Sequence, residues 1–387
     1  MEKITFVIPS RNNLEFLQLA YKSIRDLDTK HDILILNDAS TDGTQEWIKN
    51  LNDNDLLEHY NPGPERIGIV GMFDKGIEMA RTSIIFAYHA DMIAAPDLDK
   101  NILKYLKPQT VVSATRVEPP LHPPGPEKII QNFGIETDEF DEDKWLEWNK
   151  NYSPAVETTE GIFAPWCMYK EDFLAIGGHD ELFAPQSKED SDLFNRFHLA
   201  GYKFIQSWQG RVYHFTSRGS RFNKHAGGGA GKNSDEWLYT TNKNMRNFIR
   251  KWGTIVQHDH YMKPIISPKY DIGYRVENCN QHLLTALEPW GNIIYVDNNH
   301  NYIESEQQHT TIDLKKRVHA LTGEDRYDYN DIVVEIDGTR FTNEDFELVK
   351  QLPEILKDSG EIGEFRIGNL KVTIITLETY EKELIKL

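Results

Sequence analysis

The chain has 387 residues, 39% of them hydrophobic, and 61 acidic side chains against 43 lysines and arginines, for a formal charge of −18. That length allows two domains, and the charge argues against a nucleic-acid backbone as the main partner. No apolar run approaches the ~20 residues needed to span a bilayer, although peripheral membrane contact stays open.

The N-terminus, Met1 to Ile8, reads as a strand and not as a signal peptide. Cys167 and Cys279 lie far apart in sequence. Together these features point to free thiols in a reducing cytoplasm. Ile4 to Ile8 is a β-rich run ending in Pro9-Ser10-Arg11-Asn12-Asn13. Leu14, Leu17, Tyr21 and Ile24 then share one helical face. The next apolar run, Asp32 to Leu36, ends in Asn37-Asp38-Ala39-Ser40, and Asp42 and Gln45 stand at capping-box spacing before another helix. A helix from Gly71 to Ala80 precedes a strand at Ile84 to Tyr88, which breaks into His89-Ala90-Asp91. Pro96 stops that segment, and a helix-like stretch runs from Leu98 to Leu106.

Strands separated by helices pair in parallel through right-handed crossovers. Three strand ends, Ser10/Arg11, Asp38 and Asp91, are therefore expected on one edge, where open α/β sheets bind ligands. An acid such as Asp91 can there hold a hard cation, and the cation a pyrophosphate. The plainer alternative is a turn cap before Pro96. No Gly-x-Gly-x-x-Gly follows the first strand, which disfavours the usual dinucleotide fold.

Val-Ile-Pro-Ser-Arg-Asn-Asn (7–13), Ile-Leu-Asn-Asp-Ala-Ser-Thr-Asp-Gly-Thr (35–44) and His-Ala-Asp (89–91) resemble the signatures of family 2 glycosyltransferases. The resemblance covers roughly residues 3–253. It implies the GT-A fold, a Rossmann-like mixed sheet flanked by helices. It also implies that Pro9, Ser10, Arg11 and Asp38 hold the nucleoside, and that His89, Ala90 and Asp91 form the Asp-x-Asp-like segment. Asp91 would then meet a divalent metal, Mn²⁺ or Mg²⁺. The sequence departs from the pattern at His89, where the first Asp is usual, and at Asn37, where the common pair has an acid. The turn-rich loop Asn61 to Gly68 resembles the Asn-x-Gly segment beside the nucleotide. Its Arg66 is a candidate to balance phosphate charge, or a solvated loop arginine.

Glu118 to Pro126 is a proline-rich connector that can be neither helix nor inner strand. Glu136 to Glu147, with Trp145 and Trp148, reads as an amphipathic helix or a lid. Gly161 to Lys170, including Trp166, reads as a loop feeding a strand. Lys188-Glu189-Asp190-Ser191-Asp192-Leu193, continuing to Arg196 and Gly201, resembles the family's Glu-Asp-x-Asp-Leu pattern. The acids also suit a helix N-terminus on dipole grounds alone. The transfer needs a base for the acceptor hydroxyl, and Asp190 is the first candidate, Glu189 the second. Asp192 lies two positions on and points away, so it orients Arg196 or caps the helix. Trp166 and Asp192 are carried as candidate acceptor contacts. The resemblance puts His214 on the metal beside Asp91. The loop 217–233 is Gly-, Ser- and Arg-rich, fails the spacing of a phosphate-binding loop, and is read as a mobile lid.

The expected organisation is a GT-A domain over 1–253, with a nucleotide-binding half (1–106) and an acceptor half (107–230). A linker (254–270) and a smaller C-terminal α/β domain (271–387) follow. Strands are expected at Asn292–Asp297, Asp331–Asp337 and Leu370–Thr376, with helices at Phe346–Leu356 and Leu377–Leu387. That domain faintly resembles a methyltransferase-like Rossmann unit with Asp297 at a strand end. It lacks a glycine-rich loop, so it is read as an acceptor-recognition or assembly module, self-association included. The functional expectation is a metal-dependent, inverting transferase moving a sugar from a nucleotide-sugar, a UDP-sugar by preference, to a hydroxyl of a glycan. Two rivals stand beside it. A nucleotidyltransferase needs a Gly-rich, Lys-containing loop after the first strand, which Pro9 to Asn12 does not supply. A non-catalytic sugar- or partner-binding relative is suggested by His89.

Overall fold

Side chains alternating between two buried faces organise the N-terminal half. In the computed structural model, which describes residues 2–299, 301–321 and 330–386, β1 (Ile4–Ser10), β2 (Asp32–Asp38) and β4 (Ile84–Ala87) are buried almost throughout. Such continuous apolar runs suit inner parallel strands covered on both faces. Ile4, Phe6, Ile8, Ile33 and Ile35 face one layer, with α1 (Leu14–Arg25), α2 (Thr44–Asn50) and Leu98 and Ile102 of α4 (Leu98–Leu103). Val7, Leu34, Leu36, Ile85 and Ala87 face the other, with α3 (Ile69–Met79) and α7 (Glu189–Leu199). Alternation along each strand thus feeds two separate cores.

The large sheet has ten strands in the order β3-β2-β1-β4-β9-β6-β10-β5, with β7 on β6 and β8 on β10. Its remaining members are β3 (Leu56–Asn61), β5 (Met92–Ala94), β6 (Thr110–Glu118), β7 (Ile129–Ile130), β8 (Thr158–Thr159), β9 (Trp166–Tyr169) and β10 (Lys203–His214). The strands β3, β2, β1 and β4 are parallel to one another, whereas β9 runs antiparallel to both β4 and β6. A mixed α/β sheet flanked by helices is the expected architecture. The remaining helices of this region are α5 (Glu142–Asn151) and α6 (Lys170–Ala175), and α8 (Asp235–Trp252) begins in it and continues into the second unit. Helix α5 buries Trp145 and leaves its acids exposed.

The described residues fall into two compact units. The first runs to Thr241 and takes in His258–Ile265; the second comprises Asn242–Gln257 and Ile266–Lys386. The second holds a six-stranded sheet, β13-β12-β11-β14-β16-β15. These strands are β11 (Ile272–Glu277), β12 (Ile293–Val296), β13 (Val318–Ala320), β14 (Ile332–Asp337), β15 (Gly363–Ile367) and β16 (Leu370–Ile374). With them go α9 (Gln281–Leu287), α10 (Tyr302–Glu306) and α11 (Asn343–Ser359). The three expected strands and the helix around Phe346 are present.

Two local expectations are corrected. Leu377–Leu387 forms no α-helix among its described residues, only a 3-10 turn at Glu381–Leu384. Tyr380 instead donates its N–H to Lys269 O (2.8 Å) and its hydroxyl to Asp331 (2.6 Å). That pinning leaves too few residues to propagate a helix. Asp42 and Gln45 form no capping box. Asp42 accepts from Leu14 N (2.9 Å) and Thr44 Oγ1 (2.6 Å), while Gln45 is buried between Asn37 and Glu58. Asp42 thus fixes the start of α1, a service that neighbours in sequence do not reveal.

Helix α3 lies close to the sheet at Gly76. A Cβ there would come within 2.5 Å of Val7 Cγ1 and 2.8 Å of Leu36 Cδ1. Gly76→Val should therefore lower the unfolding free energy by about 1–3 kcal/mol through overpacking, measured by urea denaturation. An unchanged midpoint would show that the helix can lift off the sheet without cost.

Candidate functional site

Parallel pairing brings the ends of β1, β2 and β3 level, with Ser10 opposite Asn37 and Asp38 opposite Asn61. The chain leaving β4 passes the same edge at His89-Ala90-Asp91. A cavity of about 210 Å³ opens there, lined by Pro9, Ser10, Arg11, Asp38, Arg66, His89, Ala90, Asp91, Asp190 and His214 among others. These are the ten predicted site residues that the fold brings together. The oxygen of Ser10 and the amide nitrogen of Asn13 are buried beside it without a protein partner. Buried polar atoms are nearly always paired, so these two mark where a ligand's polar groups would sit.

Strand β10 delivers His214. It pairs antiparallel with β5, setting His214 opposite Met92, and Phe215 donates its N–H to Asp91 O (3.0 Å). It also pairs in parallel with β6, Tyr213 opposite Val117, which sets Glu118 beside His214. The possible ligand atoms of His89, Asp91 and His214 all lie within 4.8 Å of one another. Asp91 is 4% exposed, with Oδ2 accepting from Arg218 N (2.6 Å) and lying 3.6 Å from His214 Nε2. Burial opposes its charge, but His214, His89 and that N–H hold the carboxyl down at about 2. Burial likewise opposes protonation of His214, yet Asp91 and Glu118 raise it to about 9. Burial lowers His89, against the pull of Asp91 and Asp190. Neighbouring charges thus favour a carboxylate at Asp91 and a proton on His214, and burial favours a neutral His89, while Ser217 N–H lies 3.3 Å from His214 Nε2. Two imidazoles and a carboxylate suit a first-row divalent ion, whose arrival would release the proton of His214.

Across the cavity, Arg66 Nη2 pairs with Glu236 Oε1, and Arg11 Nη1 lies 3.9 Å from the same oxygen. Asp38 Oδ1 accepts from Asn61 Nδ2 and Ile67 N, and its Oδ2 from Gly68 N, all at 2.8 Å. Three donors on one carboxylate tie the 61–68 loop to β2 and so set where Arg66 stands. The segment 217–233 is folded beside the cavity. Ser217, Gly219, Ser220 and Asn223 line it, and Phe222 donates its N–H to Ser217 O (2.9 Å).

Helix α7 separates its acids by face. Asp190 lines the cavity, whereas Asp192 is fully buried and bonds Arg196 Nε at 2.8 Å. Arg196 in turn donates to Ile176 O (3.0 Å). Glu189 is buried with one oxygen unpartnered, and burial together with Asp190 pushes its carboxyl up to about 8. Trp166 sits in the core against Phe173, 1% exposed. Glu189, Asp192 and Trp166 do not line the cavity. Two residues escaped sequence reading. Glu236 carried no signal beyond an acid at a helix start. Glu118 did carry one: it ends a strand, as Asp38 and Asp91 do, and was absorbed into the proline-rich connector that follows. Among the described residues no helix is long and apolar enough to cross a membrane.

Residues 5–156 match the model of Glycosyl transferase family 2. Among solved structures the chain is similar to GalNAc-T7 with UDP, GalNAc and Mn²⁺, at 14% identity and a TM-score of 0.43, over 55% of this chain and 44% of that one. It is also similar to the mannosyltransferase PcManGT from Pyrobaculum calidifontis in complex with GDP-Man and Mn²⁺, at 19% identity and a TM-score of 0.39, over 55% and 56%. The chain thus spans about half the length of these structures. No curated protein matches its sequence.

The raised carboxyl of Glu189 makes a pH prediction. Unfolded, Glu189 releases its proton near the ordinary 4.5; folded, it holds it to about 8. Its contribution is fully present below the lower value and is lost as pH rises through the upper one. Glu189→Gln stays neutral throughout, so its melting temperature should gain on wild type between pH 4.5 and 8. A difference independent of pH would mean that Glu189 is ionised in the folded protein.

Proposed function

We propose that the chain, whose residues 5–156 match the model of Glycosyl transferase family 2, is a metal-dependent, inverting glycosyltransferase. It moves a sugar from a nucleoside-diphosphate sugar, a UDP-sugar in the first instance, to a hydroxyl of a glycan acceptor. The observation that carries this reading is the meeting of three strand ends with a His-Asp-His cluster and Asp190 in one cavity.

In this reading Ser10 and Asn13 meet the nucleoside with the polar groups they leave unpaired. Arg11 and Arg66 face the diphosphate, with Asp38 fixing the loop that carries Arg66. His89, Asp91 and His214 hold the divalent ion, Mn²⁺ or Mg²⁺. When bound, the ion supplies Lewis-acid stabilisation of charge on the departing nucleoside diphosphate. Asp190 accepts the proton of the attacking hydroxyl, a service worth roughly 10²–10⁴-fold in rate. A single base opposite the leaving group entails direct displacement with inversion at the anomeric carbon. Glu189, protonated behind Asp190, leaves the negative charge on the acid that faces the cavity. Glu236 must release Arg66 before an anion can take its place.

Thermal stability against a panel of nucleoside diphosphates and nucleotide-sugars, with and without Mn²⁺, tests the donor half. A ligand at a hundred times its dissociation constant stabilises by about 2.7 kcal/mol. One nucleotide should raise the melting temperature in a Mn²⁺-dependent way, and Asp91→Ala should abolish the shift. No shift with any nucleotide would sink the enzyme reading and favour a partner-binding relative. Asp190→Asn should keep the donor shift while losing transfer by roughly 10²–10⁴-fold, read with the donor found above. Retained transfer would move the base elsewhere.

A further inference from the structure

Glu118 stands outside the cavity, yet it bonds a residue that lines it. It is fully buried at the end of β6. Its Oε1 lies 2.8 Å from His214 Nδ1, and the Nε2 of the same ring lies 3.6 Å from Asp91 Oδ2. The parallel register of β6 and β10 makes this pairing a consequence of the sheet itself. Glu118 is held in turn by Arg116 Nη1 (3.0 Å) and Lys128 Nζ (3.1 Å). Arg116 is packed with its guanidinium 3.7 Å over the ring of Phe163, which lines the cavity. A carboxylate with two cationic neighbours and no exposure cannot swing to another rotamer cheaply.

We propose that Glu118 is a positioning residue for the metal site: it accepts the Nδ1 proton of His214 and so fixes the ring with Nε2, which meets only the long contact from Ser217 N–H (3.3 Å) and Asp91, turned toward the ion. The inference rests on the metal-dependent reading above and concerns a residue that reading does not use. Imidazole ligands bind through whichever nitrogen their other hydrogen bond leaves free, and removing such an outer partner costs about 10–100-fold in metal affinity. Asp91 needs no comparable helper, because the backbone N–H of Arg218 already orients it. Among the described residues His89 meets the rings of Phe73 and His214 and hydrogen-bonds no carboxylate, which leaves Glu118 as the distinguishing feature of the His214 side.

Mn²⁺ binding to the full chain, read from the paramagnetic resonance signal of the free ion, provides the test. Wild type should bind, and Glu118→Ala should bind about 10–100-fold more weakly. Glu118→Gln keeps an oxygen for the Nδ1 proton and should lose only a few-fold. In a His214→Ala background, neither Glu118 change should weaken binding further. That last comparison separates positioning through His214 from a general loosening of the fold, and the Gln variant carries it if Glu118→Ala fails to fold. Unchanged affinity in the folded variants overturns the proposal, as does an equal loss with and without His214. Wild type that binds no Mn²⁺ overturns the proposal together with the metal-dependent reading, whereas Mn²⁺ binding that ignores Glu118 leaves that reading standing.

Discussion

A carboxylate almost wholly removed from water needs nearby charge or hydrogen bonds to stay ionised. Asp91 has both, and much of the first unit is arranged to supply them. The strand pairing that seats His214 against Asp91 is antiparallel to β5 and parallel to β6 on its two sides. The same β10 leads directly into Arg218, whose N–H closes on the Asp91 oxygen that faces His214. A shift of β10 by one residue would turn His214 to the other face of the sheet and strand Asp91 in an apolar layer. The His89-Asp91-His214 cluster is thus a property of sheet register, and the register is held by the apolar side chains on either side of it.

The acids at other strand ends face the same problem and solve it differently. Asp38 spends its acceptors on Asn61 and two backbone N–H groups. In the second unit Asp297 accepts from Asn278 N (2.8 Å) and Cys279 N (2.9 Å). Both acids tie down the loop beside them by satisfying amides that would otherwise be unpaired. Asp91 and Glu118 are instead compensated mainly by titratable side chains, the kind of compensation that lets a proton be exchanged for a cation. A strand-end acid is therefore not one signal but two, and the partner decides which.

That distinction sets what the sequence could reveal. Continuous apolar runs such as Ile4–Ile8 and Asp32–Leu36 announce buried parallel strands, and the polar residues closing them announce the shared edge. Asp91 and His214 could be paired only through the family resemblance, since more than a hundred residues separate them. Glu118 was legible as a strand-end acid but hidden by the prolines after it. The central strand β11 was missed although Ile272, Tyr274 and Val276 alternate with Gly273, Arg275 and Glu277 at strand period. Trp166 was carried as an acceptor contact in a loop feeding a strand, yet β9 inserts it between β4 and β6, where the core closes over it.

Electrostatics at the cavity follows from neighbours rather than from the net charge of −18. Charges more than a Debye length away, ~8 Å at physiological salt, are largely screened at the surface. What an incoming anion meets is Arg11 and Arg66, both turned toward Glu236, and an imidazolium braced by two carboxylates. Each positive group already has an internal counter-ion, so binding an anion is an exchange and not a simple addition. Glu236 is partly exposed and can be rehydrated when displaced, whereas Glu118 is wholly buried and cannot. The exchange is therefore cheap at the arginines and forbidden behind His214. This asymmetry lets the anion side of the cavity open while the ligand cluster keeps its geometry.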